Sequence, residues 1–369
     1  MTAYRLPFVS LVPGEDAADV RRAIDRVIER GWFVLGPEVS AFEEEFAAAS
    51  GGAHAVGVGT GTDAIALILR GLGIGAGDEV ITSPLSAAYS ALAIIMAGAR
   101  PVFADVDPLR ATIDPERIAD LVGPRTRAIL PVHLYGQAAD MAAIARIAAR
   151  HNLAIVEDCC QAHLATSGGR PVGTIGVAGA FSFYPTKNLG ALGDGGAIVT
   201  NDRALADRVK RLRNGGQTDR YHHQEAGINS RLDELQAAVL RARLPRLRGW
   251  TDRRRALAAR YRMRLAGGPI ALLPERDHGH VYHLFVVSTD ERDALQAHLA
   301  KSGVETLIHY PVSIPQQPAL SDQDPADCPV AARLCRGILS LPLHPALRDD
   351  EVDEIAAAVH AFQPRTVVS

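Results

Sequence analysis

The chain has 369 residues, with 39 Lys and Arg against 42 Asp and Glu, a formal charge of -3 and 47% hydrophobic residues. That length supports a sizeable core and more than one domain, and the near balance of charge removes the electrostatic reason to expect nucleic acid or an anionic membrane as partner. Its four cysteines, Cys159, Cys160, Cys328 and Cys335, include no C-x-x-C pair, so neither a disulfide framework nor a metal site is indicated.

In chain order, "MTAYRLPFVSLVPGED" has no basic segment followed by an apolar block. The longest apolar run, "ALAIIMAGA" at 91–99, is too short for a bilayer, and a soluble cytoplasmic protein is expected. Ile65, Ile68, Leu69 and Leu72 fall at helical spacing just after "GTGT". "DEVITS", "RPVFADVD", "RAILPVH" and "LAIVEDC" then read as short buried strands separated by Ala-rich amphipathic helices, the pattern of a mainly parallel α/β sheet covered on both faces. "AGAFSFY" and "GGAIVTN" predict two further strands, and Leu232, Leu235, Val239 and Leu240 predict a helix running to Pro245. Beyond it the texture changes to an Arg-rich helix, a strand "VYHLFVVS", a helix near 291–301, a strand "VETLIHY", a Pro-rich loop and two closing helices. A boundary near residue 245 would separate a large domain (1–245, with an N-terminal arm) from a smaller α+β domain (246–369).

Ligands of parallel α/β sheets bind outside the carboxyl ends of the strands, so the loops there carry the functional reading. "GVGTGTDA" lacks the third glycine of G-x-G-x-x-G, and neither G-x-x-x-x-G-K-[ST] nor G-x-S-x-G occurs, which weighs against a dehydrogenase, a P-loop enzyme and an α/β-hydrolase. "TGTDA" at 60–64 opens a helix and reads either as an anion site or as an ordinary cap by Thr60 or Thr62. In "VEDCCQAH" a strand ends in Glu157 and Asp158, and Asp158 there is a metal ligand, a helix cap or the partner of a protonated ring nitrogen. "FSFYPTKNLGALGDGG" sets Lys187 among aromatic, proline and small residues rather than on a charged face. A lysine amine, an anion site and a carboxylate at strand ends are together what pyridoxal phosphate requires.

These stretches, with "RGWFVLGPEVSAFEEEFA", "PVHLYGQAADM", "NSRLDELQAAVL", "IHYP" and "SLPLHP", occur in the order found in the DegT/StrS family of pyridoxal-phosphate sugar aminotransferases, which the chain resembles over nearly its whole length. The resemblance implies an aspartate-aminotransferase type of fold, a homodimer with active sites at the subunit interface, and amino transfer from glutamate or glutamine to a keto sugar, usually attached to a nucleotide diphosphate. By the same resemblance Lys187 would bear the cofactor and move the proton, Asp158 would pair with the ring nitrogen, and Gln161 would face the ring hydroxyl. Gly61, Thr62 and Ser182 would hold the phosphate together with Asn229 of a second subunit. Arg231 would brace the interface or reach the nucleotide diphosphate, and His309 and Tyr310 match a substrate-side loop. A cyclitol ketone as acceptor and a noncatalytic, regulatory relative are the alternatives.

One departure concerns the cofactor's exposed face. Where the family carries an aromatic residue, this chain reads "TSPLSAAYSAL" with Ala87, and Tyr89 either substitutes or belongs to the core. His163 either supports the ring-hydroxyl region or satisfies a core hydrogen bond, and strand alternation in "HGHVYH" would put His278 and His280 opposite His283, against a shared metal site.

Overall fold

The structure is a computed structural model that describes residues 4–320 and 327–363. Helices α1 (Ala17–Arg30) and α2 (Pro37–Ser50) precede β1 (His54–Val58) and α3 (Gly61–Gly71). The alternation continues through β2 (Glu79–Thr82), α4 (Tyr89–Met96), β3 (Arg100–Phe103), α5 (Pro115–Leu121), β4 (Thr126–Leu130), α6 (Met141–His151) and β5 (Ala154–Asp158). A small hairpin, β6 (Thr166–Ser167) with β7 (Arg170–Pro171), leads to β8 (Ala178–Ser182), β9 (Gly196–Thr200) and α7 (Arg203–Leu212). A second hairpin, β10 (Gln217–Asp219) with β11 (His222–His223), precedes α8 (Glu234–Arg243) and the long α9 (Leu247–Leu265).

The seven-stranded sheet has the order β1-β9-β8-β5-β4-β2-β3. The pairs β2/β3, β2/β4, β4/β5 and β5/β8 are parallel, while β8/β9 and β1/β9 are antiparallel. Its strands are buried almost throughout because helices cover both faces, which is why they read as continuous apolar runs rather than alternating ones. Helix α3 lies in that core, with Ala64 to Leu69 all buried. Glu234, the first residue of α8, accepts backbone N–H bonds from Gly36 at 2.9 Å, Glu38 at 2.9 Å and Val39 at 2.8 Å, so it caps α2 from a distant part of the chain.

The carboxy-terminal part packs α9, α10 (Arg292–Lys301) and α12 (Asp349–His360) around an antiparallel three-stranded sheet, β12 (Ala271–Leu272), β13 (Phe285–Ser288) and β14 (Ile338–Leu341), with α11 (Pro329–Gly337) leading into β14. Leu6 joins this core and Phe8 joins the core of the large sheet, so the amino-terminal segment spans both.

Two sequence expectations change. The strand expected at "VYHLFVVS" begins only at Phe285, because Tyr282 has φ 48° and Val281 N donates instead to Gly136 O at 3.0 Å. "VETLIHY" is extended but forms only single bridges, Val304 to Leu6 and Leu307 to Ser340. The strands β1 and β14 had no separate sequence signal, since each is a short run beside glycine or proline and gains its pairing only from a distant partner.

Candidate active site

The carboxyl ends of β5 and β8 meet the first turn of α3. Asp158 ends β5 and is only 5% exposed. Ser182 ends β8 in register with Gly196, which also pairs with Val58 at the end of β1. A Cβ on Gly196 would lie 2.4 Å from the Thr60 carbonyl carbon, and one on Gly61 would lie 2.6 Å from Cys160 Sγ and 2.9 Å from Ser182 Cβ. Glycine at these two positions is what lets α3 begin against the strand ends. Thr60 is the cap, its Oγ1 accepting from Asp63 N at 3.0 Å, and the first helical bond runs from Ala64 N to Thr60 O at 3.0 Å. The N–H groups of Gly61 and Thr62 therefore have no partner within the helix, the arrangement that favours an anion.

Lys187 sits on the loop after β8, in a turn closed by its own N–H to Tyr184 O at 2.8 Å and by Ala191 N to Phe183 O at 2.7 Å. The side chain is half-buried, and among the described residues its amine has no hydrogen bond or ion pair. Desolvation lowers the amine below its ordinary value, against the opposing pull of Cys160 and Asp158. An amine so placed loses its proton more readily than a surface lysine does.

The neighbouring polar groups are held in defined orientations. Asp158 Oδ2 accepts from the Ser90 hydroxyl at 2.7 Å and Oδ1 from Cys160 N at 3.1 Å. Gln161 Oε1 accepts from Tyr135 N at 2.7 Å, its Nε2 donates to the Tyr310 hydroxyl at 3.0 Å, and the Tyr135 hydroxyl donates to His309 O. This closed circuit leaves the second N–H of Gln161 free for a ligand. Burial pushes the Tyr310 hydroxyl well up, so it stays protonated. His309 Nδ1 lies 2.9 Å from Ser340 Oγ, and burial, then the charge of Lys187, lowers the imidazole to about 4. His309 is accordingly neutral near pH 7.

The other sequence candidates lie around this cluster. Tyr89 is the first residue of α4 and is 64% exposed, near enough to Tyr310 to perturb it electrostatically, while Ala87 is partly buried just before the helix. Asn229 is exposed and bridged to Asn214, whose side chain accepts from Arg231 Nη1 at 2.9 Å. The next residue, Ser230, accepts from Gly59 N at 2.9 Å and donates to Asp63 at 2.7 Å, which ties this segment to the start of α3.

Sequence reading missed Ser90, Tyr135 and Asn188 as parts of the site. Asn188 Oδ1 faces His283 Nδ1 at 3.1 Å, which joins the lysine loop to the segment before β13. No local pattern marks these residues, because each acquires its role from a partner 26 or more residues away. His163 satisfies no core hydrogen bond among the described residues. It packs against Phe46, Phe181 and Phe183, neither ring nitrogen has a hydrogen-bond partner among the described residues, and burial followed by the Lys187 charge lowers it to about 3. Within "HGHVYH", His278 is exposed while His280 and His283 are both buried, so strand alternation is not what separates them.

Among the described residues, His133, Glu157 and Cys159 bring possible metal ligands together. Glu157 already accepts from His133 Nε2 at 3.0 Å and from the N–H groups of Gly173, Ile175 and Gly176 at 2.8 Å each, and His133 Nδ1 accepts from Ala139 N at 3.1 Å. His133 and Glu157 are thus already engaged in hydrogen bonds that hold β5 and the 173–176 turn. By contrast, a desolvated amine, an oriented carboxylate, an amide with a spare N–H and an open helix start suit a group with an aldehyde, a ring nitrogen, a ring hydroxyl and a phosphate.

The profile of the DegT/DnrJ/EryC1/StrS aminotransferase family matches residues 15–360. The chain is 47% identical to the dTDP-3-amino-3,4,6-trideoxy-alpha-D-glucose transaminase of Streptomyces venezuelae, across 98% of this chain and 97% of that one. It is also 47% identical to the erythromycin biosynthesis sensory transduction protein EryC1 of Saccharopolyspora erythraea, across 96% and 99%. The crystal structure of DesV from S. venezuelae superposes with a TM-score of 0.94 at 48% identity, covering 97% of this chain and 98% of that one. No helix among the described residues is long and apolar enough to cross a membrane.

Proposed function

Because the chain belongs to the DegT/DnrJ/EryC1/StrS family of pyridoxal-phosphate-dependent aminotransferases, we propose that it aminates a keto sugar carried on a nucleotide diphosphate, with glutamate or glutamine as amino donor. The observation that carries this reading is the unpaired, desolvated Lys187 amine set beside Asp158 at the carboxyl ends of β5 and β8. The S. venezuelae relative, named as a transaminase for a dTDP-linked amino sugar, supports the substrate class.

When bound, pyridoxal phosphate supplies an electron-accepting ring that lets an amino group pass from donor to acceptor. In this reading Lys187 Nζ would hold the cofactor between turnovers and, when free, would act as the base that moves the proton. Asp158 keeps a proton on the ring nitrogen, and Gln161 donates its free N–H to the ring oxygen. Gly61 and Thr62 N–H groups, with the Ser182 hydroxyl, hold the phosphate at the start of α3. Asn229 completes that phosphate site from a second copy of the chain; its exposure and its lack of a side-chain hydrogen bond among the described residues support this. Arg231, His309 and Tyr310 face the sugar nucleotide, and Tyr89 closes the side of the cofactor left open by Ala87. Residues 1–245 form the cofactor-binding domain and 246–369 the smaller one.

The test is to add glutamate to the holoenzyme while following the cofactor spectrum, and then to screen keto-sugar nucleotides and cyclitol ketones for reversal. Conversion by the donor followed by reversal with a keto-sugar nucleotide is expected. No spectral response to any amino donor would overturn the enzymatic reading and favour a regulatory one.

Two variants test the site's edges. Asn229→Ala is expected to weaken cofactor binding about tenfold, the worth of one hydrogen bond to a charged group, without unfolding the chain. Sedimentation should show a dimer, and a monomer with full cofactor occupancy would contradict the shared site. Tyr89→Ala should weaken the cofactor by about 0.5–1.5 kcal/mol if the ring covers it, and unchanged affinity would assign Tyr89 to the surface.

A further inference from the structure

We infer that Ser90 is a positioning residue for Asp158, and that α4 enters the site in order to supply it. The inference rests on the reading of Asp158 as the partner of the cofactor's ring nitrogen.

Ser90 is the second residue of α4, is 2% exposed, and sends its hydroxyl 2.7 Å to Asp158 Oδ2. A serine inside a helix ordinarily turns its hydroxyl back to the carbonyl four residues earlier or out to solvent, and Ser90 does neither. A hydroxyl has a single proton, and here that proton goes to a buried carboxylate 68 residues away. The other carboxylate oxygen, Oδ1, accepts from Cys160 N at 3.1 Å. With one protein donor on each oxygen, the carboxylate cannot rotate about its χ2 angle, and its remaining lone pairs point in one fixed set of directions. Cys160 N belongs to the same strand end as Asp158 and moves with it. Among the described residues only Ser90 donates to the carboxylate from an independent element, so it decides where Oδ2 stands.

The placement of α4 supports this division of labour. Its buried residues Ala91, Ala93 and Ile94 anchor it in the main core, whereas Tyr89 is exposed and lies near Tyr310. Its first turn thus delivers a contact to the carboxylate even though its aromatic position is alanine.

The experiment uses the full-length protein and pyridoxal phosphate labelled with 15N in the ring. Cofactor affinity and the ring-nitrogen resonance are measured for the wild type, Ser90→Ala, Ser90→Thr, Asp158→Asn and the Ser90→Ala/Asp158→Asn double variant. Ser90→Ala is expected to weaken binding about tenfold and to move the resonance toward that of the unprotonated ring, and Ser90→Thr, which keeps the hydroxyl, should restore both. In the Asp158→Asn background Ser90→Ala should have little further effect, since the two act as one unit. An unshifted resonance in a folded Ser90→Ala protein, or penalties that simply add, would overturn the inference. If Ser90→Ala does not fold, Ser90→Cys keeps the shape with a weaker donor, and an unshifted resonance there is equally fatal. An Asp158→Asn protein with unchanged affinity and resonance would instead overturn the reading of Asp158, and this inference with it.

Discussion

Lys187→Ala is expected to abolish covalent attachment of pyridoxal phosphate and to lower turnover by at least about 10²–10⁴-fold, the usual contribution of a positioned proton-transfer group alone. The cofactor should still bind noncovalently, because Gly61, Thr62, Ser182, Asp158 and Gln161 are untouched. The reason for so large an effect is the absence of a substitute. The histidines nearest in charge to Lys187 are His163, His283 and His309, and all three are lowered first by burial and then by Lys187 itself. His163 is walled in by phenylalanines, and His283 is held by Asn188. The checks are the visible spectrum after borohydride reduction and steady-state turnover. Borohydride-stable label on another residue, or normal turnover, would remove Lys187 from its assigned place.

Glu157→Ala is expected to cost about 3–5 kcal/mol of stability and several degrees of melting temperature, more than any surface substitution should. The carboxylate is fully buried and takes hydrogen bonds from His133 and from three backbone N–H groups. Alanine would leave all four donors without an acceptor in a site closed to water. Burial by itself would raise the Glu157 carboxyl, but the hydrogen bond from His133, with those from the N–H groups of Gly176 and Gly173, outweighs it and holds the group below its ordinary value. A carboxyl depressed in the folded state contributes stability that is present above its unfolded value and is lost as pH falls through the folded one. Thermal unfolding of the wild type should therefore steepen its decline below the ordinary carboxylate range, and Glu157→Gln should flatten that decline. Parallel pH profiles for the two proteins would contradict the assignment.

Glu157 and Asp158 are adjacent, and their separate roles show what kind of information a sequence holds. "VEDCCQAH" reads as a strand ending in two carboxylates, but alternation along the strand sends one into the 173–176 turn and the other toward Ser90. The register of β5 between β4 and β8, with Ile155 opposite Ile129 and Asp158 opposite Ala180, decides which goes where.

By itself the sequence determined the alternating, mainly parallel sheet and the helix opening at "TGTDA", and it marked the amine of Lys187 and the carboxylate of Asp158, while Gln161 came only from the family resemblance. Those features are local. Apolar periodicity reflects burial on both faces of a strand, a threonine cap reflects the first unpaired turn of a helix, and the type of a chemical group is a property of one residue. The tertiary structure decided the rest: the Ser90 contact to Asp158, the Tyr135 circuit that sets the Gln161 amide, the helix cap that Glu234 gives to α2, and the late start of β13. Each of these is a hydrogen bond between groups 26 to 198 residues apart, or a strand whose partner lies far along the chain. A hydrogen bond needs its two atoms about 3 Å apart, and for residues so distant in the chain only the packing of the whole sheet and its helices brings them to that distance.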